Sequence, residues 1–177
     1  MIEIFKKSDF KSMPWRNGGG LTTELYLLPG LSSESFLFRL SRAEVSIDGP
    51  FSIFPDIDRI LLLIEGNGFD LKSELRKVEL NKKLVPLTFK GEEVFSCALL
   101  DGPCVDFNIM TDRSYANTTI SVIHPPAGTV MNFTASCDLK FIYDIGNEKL
   151  YKLEKNDQYN LEVSKGSSLI VVEINRK

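Results

Sequence analysis

Hydrophobic and polar positions along this chain alternate in short runs, as in half-buried strands, or gather in continuous apolar stretches like those inside a sheet. Such segments are MIEIF, LTTELYLL, SFLFRLSRAEVSI, RILLLIEG, LVPLTF, VFSCALL, CVDFNIM, TTISVI, TVMNF, LKFIYDI, KLYKLE, YNLEV and SSLIVVEI. Between them fall turn signals: GN, DG, GE, PPAG, IGNE and KGS. Helical periodicity is weak. Residues 73–84 (SELRKVELNKKL) are the best helical candidate, and their Leu75, Val78 and Leu80 suit a strand pair equally. The pattern predicts an all-β fold, a sandwich or a barrel. The runs exceed what one small sandwich holds, so two fused barrel-like halves are expected, roughly residues 1–100 and 101–177. The DGPC turn (Asp101 to Cys104) would separate them, and no low-complexity linker intervenes.

Alternation also assigns faces. In GGGLTTELYLL, Thr22, Glu24 and Tyr26 share one face. In SFLFRLSRAEV, Phe36, Phe38 and Leu40 oppose Leu37, Arg39, Ser41 and Ala43. In PCVDFNIMTDR, Val105, Phe107 and Ile109 form an apolar face, and Asp106, Asn108 and Met110 a mixed one. An arginine in so apolar a strand needs partners if it is buried. Glu24, Arg39, Ser41, Arg59, Asp106 and Asn108 therefore form a candidate polar pocket at a barrel mouth, weighed against internal salt bridges and ordinary exposed faces. In GPFSIFPDIDR, Phe51 and Phe54 either staple the loop to the core or wall that pocket, with Ser52 pointing inward.

Composition narrows the chemistry. The chain has 177 residues and a net charge of −3, with no long basic run, which argues against nucleic acid. No apolar run approaches a membrane span, and the N-terminus MIEIFKKSDFK lacks a signal-peptide core, so a cytoplasmic location is expected and no membrane partner. Cys97, Cys104 and Cys137 read as free buried thiols. The single histidine, His124 in IHPPAG, reads as a loop residue. Such scarcity of His and Cys predicts no metal site and no cofactor. Exposed barrel edges make a homodimer a reasonable expectation.

The run MPWRNGGGLTTE lacks both the GxxxxGK[ST] of a phosphate loop and a GxGxxG opening a helix. A tight turn into a strand fits it better, with Trp15 either capping the cavity or filling a core corner.

MPWRNGGGLTTEL, FRLSRAEVSIDGPFSIFPDIDRILLLIEG, FKGEE and GPCVDFNIMTDR, in that order, resemble the HutD/Ves family over about the first two thirds of the chain. The resemblance implies a cupin-like bicupin, two β-barrel or jelly-roll halves in one chain, with no established catalytic activity. It further implies an association with bacterial histidine utilisation and regulatory binding of a pathway intermediate, N-formylglutamate being the suggested ligand. The family pattern maps onto Trp15, Asn17, Gly18, Gly19, Gly20, Thr22 and Glu24. It continues through Arg39, Ser41, Gly49, Pro50, Phe51, Ser52 and Arg59 to Asp106, Asn108 and Met110. Two positions depart from it. Phe38 stands where Trp is usual and would reshape one wall. Asp56 stands where a small residue is common and would add negative charge near the loop.

Two functions follow as expectations. One is a metal-independent binding protein for a small carboxylate: Arg39 or Arg59 pairs with the acid, Asn108, Ser52 and Thr22 orient polar groups, and Trp15 and Phe51 exclude water. The other is a metal-independent isomerase or hydrolase with Glu24 or Asp106 as general base. A carboxylate of raised pKa beside open volume would favour the second.

Overall fold

The computed structural model describes residues 1–32, 35–164 and 166–177. Among them the elements are β-strands and a single 3-10 turn (Lys7–Asp9). In chain order the strands are β1 (Glu3–Phe5), β2 (Lys11–Pro14), β3 (Gly20–Pro29), β4 (Phe36–Val45), β5 (Gly49–Pro50), β6 (Ile57–Glu65), β7 (Phe69–Lys72), β8 (Lys77–Leu80) and β9 (Leu87–Lys90). They continue with β10 (Ser96–Leu99), β11 (Cys104–Asp112), β12 (Ala116–Ile123), β13 (Val130–Thr134), β14 (Leu139–Asp144), β15 (Lys149–Glu154), β16 (Gln158–Glu162) and β17 (Leu169–Arg176). Each run read as a strand overlaps one. The helical candidate over 73–84 is instead β8 with its flanking turns, paired to β7 in register Leu71↔Val78.

The chain forms two compact units. One is Lys11–Ser114; the other joins Met1–Phe10 to Tyr115–Lys177. The division therefore falls at 114/115 rather than near residue 100. The reason is pairing: β11 hydrogen-bonds to β4 on one side and β6 on the other, which places it in the middle of the first unit's sheet. That sheet is six-stranded, in the order β2-β3-β4-β11-β6-β9, and accompanies a four-stranded sheet β5-β10-β7-β8. The second unit has a five-stranded sheet β1-β15-β14-β17-β12 and the pair β13-β16. Among the described residues the strand pairings are antiparallel, and the isolated bridge Leu63↔Lys83 is parallel. The sheets stay open at their edges rather than closing into barrels.

Each unit fills the space between its two sheets with apolar side chains. In the first, Val45, Leu61, Leu63 and Phe89 of the larger sheet meet Phe69, Leu71, Leu80 and Cys97 of the smaller. In the second, Ile142, Tyr151, Leu153, Leu169 and Val171 meet Phe133 and Leu161. The outer face of β4, β11 and β6 is apolar as alternation predicts: Phe38, Leu40, Leu62, Phe107 and Ile109 are fully buried.

A bulge in β3 modifies one face assignment. Glu24 pairs with Ser41, yet Tyr26 pairs with Leu40, so Leu25 is the extra residue. Thr22 and Glu24 keep the inner face, while Tyr26 moves to the other and stands beside the ring of Phe38, with centroids 6.4 Å apart.

Candidate functional site

Register across the six-stranded sheet stacks polar side chains in rows, because directly opposed residues of antiparallel strands share a face. Arg39, Met110, Arg59 and Phe89 form one row. Glu24, Ser41, Asn108 and Leu61 form the next. Thr22, Ala43, Asp106 and Leu63 form a third. The sheet's inner face is thus apolar where Leu61, Leu63 and Phe89 join the core, and charged or amide-bearing where Arg39, Arg59, Asp106 and Asn108 stand.

The polar part of these rows lines a cavity of about 380 Å³. Each residue expected at the site lines it, with the exception of Glu24: Trp15, Asn17, Thr22, Arg39, Ser41, Phe51, Ser52, Arg59, Asp106, Asn108 and Met110. Glu24 sits behind Arg39, its Oε2 3.1 Å from the guanidinium Nε. That contact neutralises Arg39 through space, although the Nε–H itself is not aimed at a partner. Arg16, Ala43, Pro50 and Phe54 also line the cavity without having been assigned to the site. For Ala43 the signal was present, since it alternates with Arg39 and Ser41. Phe54 was left between wall and staple, Pro50 belongs to the family pattern, and Arg16 carries no pattern that marks it.

The mouth is built by the glycine run. Trp15 N–H donates to the Gly20 carbonyl at 2.9 Å and Gly18 N–H to the Trp15 carbonyl at 3.0 Å, which closes a tight turn. Gly18 supplies the positive φ of 71° that this turn requires. Gly20 lies where a Cβ would meet the Glu44 carbonyl and the indole, so the ring packs directly on backbone. The indole Nε1–H donates to Thr22 Oγ1 at 2.8 Å, and the Asn17 side chain accepts from Gly19 N–H at 3.0 Å. Trp15 both lines the cavity and packs against the apolar core, combining the two roles weighed for it.

Arg59 is the principal cation. It is 4% exposed and stands in a cage of Phe51, Phe54 and Phe89, its guanidinium carbon 5.6, 5.4 and 4.9 Å from the three ring centroids. Nη1–H donates to the Ser52 carbonyl at 3.1 Å, while Nε has no hydrogen-bond partner. Burial lowers its pKa to about 10, so it remains charged near neutrality. Among the described residues no carboxylate lies within ion-pair distance of it. Asp106 is 2% exposed, and burial pushes its carboxyl up to about 7, with the Arg59 charge opposing that rise. Its Oδ1, like Asn108 Oδ1, accepts no hydrogen bond.

The two departures from the family pattern lie elsewhere. Phe38 is fully buried on the outer face, so it forms no cavity wall. Asp56 is exposed, outside the lining, and adopts φ 62° in the turn before β6. That turn is held by Arg113, which pairs with Glu92 at 2.8 Å and donates its backbone N–H to the Asp56 carbonyl at 3.0 Å. Cys97, Cys104 and Cys137 are free and buried. Burial raises the first two thiols to about 12. His124 lies in the other unit, exposed, 2.9 Å from Ser168 Oγ. Among the described residues no cluster of His, Cys, Asp or Glu could hold a metal, and no helix is long and apolar enough to cross a membrane.

Comparison with known proteins places this arrangement. The chain is 30% identical to the 21.2 kDa protein of the hutC 3′ region of Pseudomonas putida over 172 residues, 89% of each. It is 34% identical to protein Ves of Citrobacter koseri over 118 residues, 64% of this chain and 61% of that protein. Among solved structures it is similar to HutD from Pseudomonas fluorescens SBW25, determined in a formate condition, with a TM-score of 0.83 at 24% identity and full coverage of both chains. The shared fold is cupin-like. The family model described as HutD matches residues 7–172, a span containing the rows, the cage and the glycine turn, and the chain belongs to the HutD family.

Proposed function

We propose that this chain is a cytoplasmic, metal-independent binding protein for a small carboxylate metabolite, acting in regulation or buffering. Arg59 carries the reading. A guanidinium this buried, with an open cavity beside it and no carboxylate at ion-pair distance among the described residues, loses hydration without gaining a direct ion pair. An incoming carboxylate supplies that counter-ion and bonds in the bidentate fashion guanidinium geometry favours. Arg39, already neutralised by Glu24, tunes the field rather than providing the main anchor. The cavity volume suits a small molecule. Family membership and the hutC-region relative make histidine-catabolism intermediates the first candidates, with N-formylglutamate leading.

The test is a thermal-shift screen against N-formylglutamate, urocanate, glutamate and histidine. A ligand at a hundred times its Kd raises stability by roughly 2.7 kcal/mol. A shift with one acid that disappears in Arg59→Ala supports the proposal, and no shift with any acid removes it.

One observation favours a second reading. Asp106 lines the cavity with a carboxyl raised to about 7, the range in which a general base works best. Metal-independent isomerisation or hydrolysis of a small acidic metabolite, with Asp106 as base, would use it. Glu24 is a poor base by comparison, since it is paired to Arg39 and lies outside the lining. Following each acid by NMR after incubation decides between the readings. Turnover lost in Asp106→Asn supports an enzyme, and an unchanged spectrum with a bound acid supports a binding protein.

A further inference from the structure

The open sheets end in edge strands, and most of these are protected. β2 carries Lys11 and Pro14, β9 carries Lys90, β8 carries Lys77 and Glu79, β1 carries Glu3 and β16 carries Glu162. β5 is two residues long and ends in Pro50. Charge, proline and shortness keep an unpaired edge from recruiting another strand. β12 has none of these devices. It runs for eight residues, ANTTISVI, without a charged side chain or a proline, and its Thr, Ile and Val favour extended pairing. The uncharged β13 is shorter, at five residues. β12 pairs along its full length with β17, from Ala116↔Arg176 to Ile123↔Leu169. Among the described residues no strand pairs with its other side.

The first unit shows what fits there. Its sheet order β4-β11-β6-β9 corresponds to β12-β17-β14-β15, since in each an early strand pairs with the unit's last strand, and that one with a middle strand. Beyond β4 the first unit adds β3. We propose that a second copy of this chain takes the corresponding place beside β12. Its own β12 pairs antiparallel with this one about a two-fold axis at Thr119, so that two five-stranded sheets become one. The strand matches itself in that register. Thr119 faces the partner's Thr119 and Asn117 faces the partner's Ser121, hydroxyl and amide groups on the exposed side of the strand. On the opposite side Ala116 faces the partner's Val122. No residue of β12 brings a charge to the seam.

Sedimentation equilibrium of the full chain over a range of concentrations tests the proposal. Wild type should weigh twice the 19.9 kDa of one chain. Thr119→Lys and Thr119→Glu each set like charges face to face across the axis and should weaken the dimer by roughly tenfold or more. Mixing these two variants should restore it, because the mixed pair is opposite in charge. Asn132→Lys, also an exposed change but on β13, should leave the dimer as it is. A monomeric wild type overturns the proposal whatever the variants do. A dimer that persists in both charged Thr119 variants overturns it as well, because the copies then meet elsewhere. Variants that stay apart on mixing overturn the register centred on Thr119.

Discussion

Between its sheets the unit of residues 1–10 and 115–177 places Phe133, Ile142, Tyr151, Leu153, Leu161 and Val171. The unit of residues 11–114 starts the same way, with Leu61, Leu63, Phe69 and Leu71, then sets Arg59, Asp106 and Asn108 where further apolar side chains would fit. Two open antiparallel sheets support either interior. Partnering makes the difference: the second unit also buries polar groups, but Lys140 pairs with Glu173 and Asp144 accepts from Asn147 and Ser167, whereas Arg59 Nε, Asp106 Oδ1 and Asn108 Oδ1 of the first have no hydrogen-bond partner. Burying such groups without partners costs stability that the second unit does not give up. The contrast teaches that such a unit can match its buried polar groups within the chain, which is why the unmatched ones of the first unit are best explained by something that enters the cavity.

The contrast can be broken where its effects are largest. Leu153→Ala, in the apolar cluster of the second unit, should cost about 2–5 kcal/mol in denaturant unfolding and leave ligand affinity unchanged. An affinity loss in that variant would mean that the two interiors are not separate in function. Arg59→Leu should do the opposite: affinity for the bound acid falls by roughly a hundredfold in calorimetry, while stability holds or rises. Should this variant lose stability and keep affinity, the arginine is structural.

Asp106 sharpens the comparison through pH. Its carboxyl titrates at about 7 in the folded chain and at an ordinary 3.8 when unfolded. A raised folded pKa contributes stability that is full below the unfolded value and is lost as pH rises through the folded one. Wild type should therefore lose ground to Asp106→Asn between about pH 4 and about pH 7, by a few kcal/mol at most, and the gap should level off above that. Parallel thermal-melting profiles of the two proteins across that range would show that Asp106 is not desolvated. The smallest effect concerns Cys97 and Cys104, whose thiols are raised to about 12 by burial. They should react with a thiol reagent only as the chain unfolds; fast labelling of native protein would show that the core beside the cavity opens.

Much of this was legible in the amino-acid order, for physical reasons. Period-two alternation in SFLFRLSRAEV and CVDFNIM separated the polar face from the apolar one, and the register of β4 with β11 then made those polar residues neighbours. Short strands left little trace: KSMP, GP, FDLK and KVEL lack enough apolar positions to show a period. The bulge at Leu25 is a backbone event that strict alternation does not anticipate, and it misplaced Tyr26. The place of β11 in the first unit depends on pairing across about forty residues from β6, which local pattern does not record. Glu24 was placed on the correct face, but whether it faced open volume or Arg39 is a side-chain matter beyond the reach of periodicity.

The strand β1 comes from the opening residues yet pairs with β15, Ile4 standing opposite Tyr151. The unit of residues 11–114 is thus inserted within the other, joined to it at both ends. During synthesis the inserted unit has all its strands once residue 114 has emerged, while β1 must wait for a partner made much later. Closing so long a loop is entropically costly and slow. The cavity-bearing unit can therefore mature first, and docking of β1 becomes a late step that waits for β15.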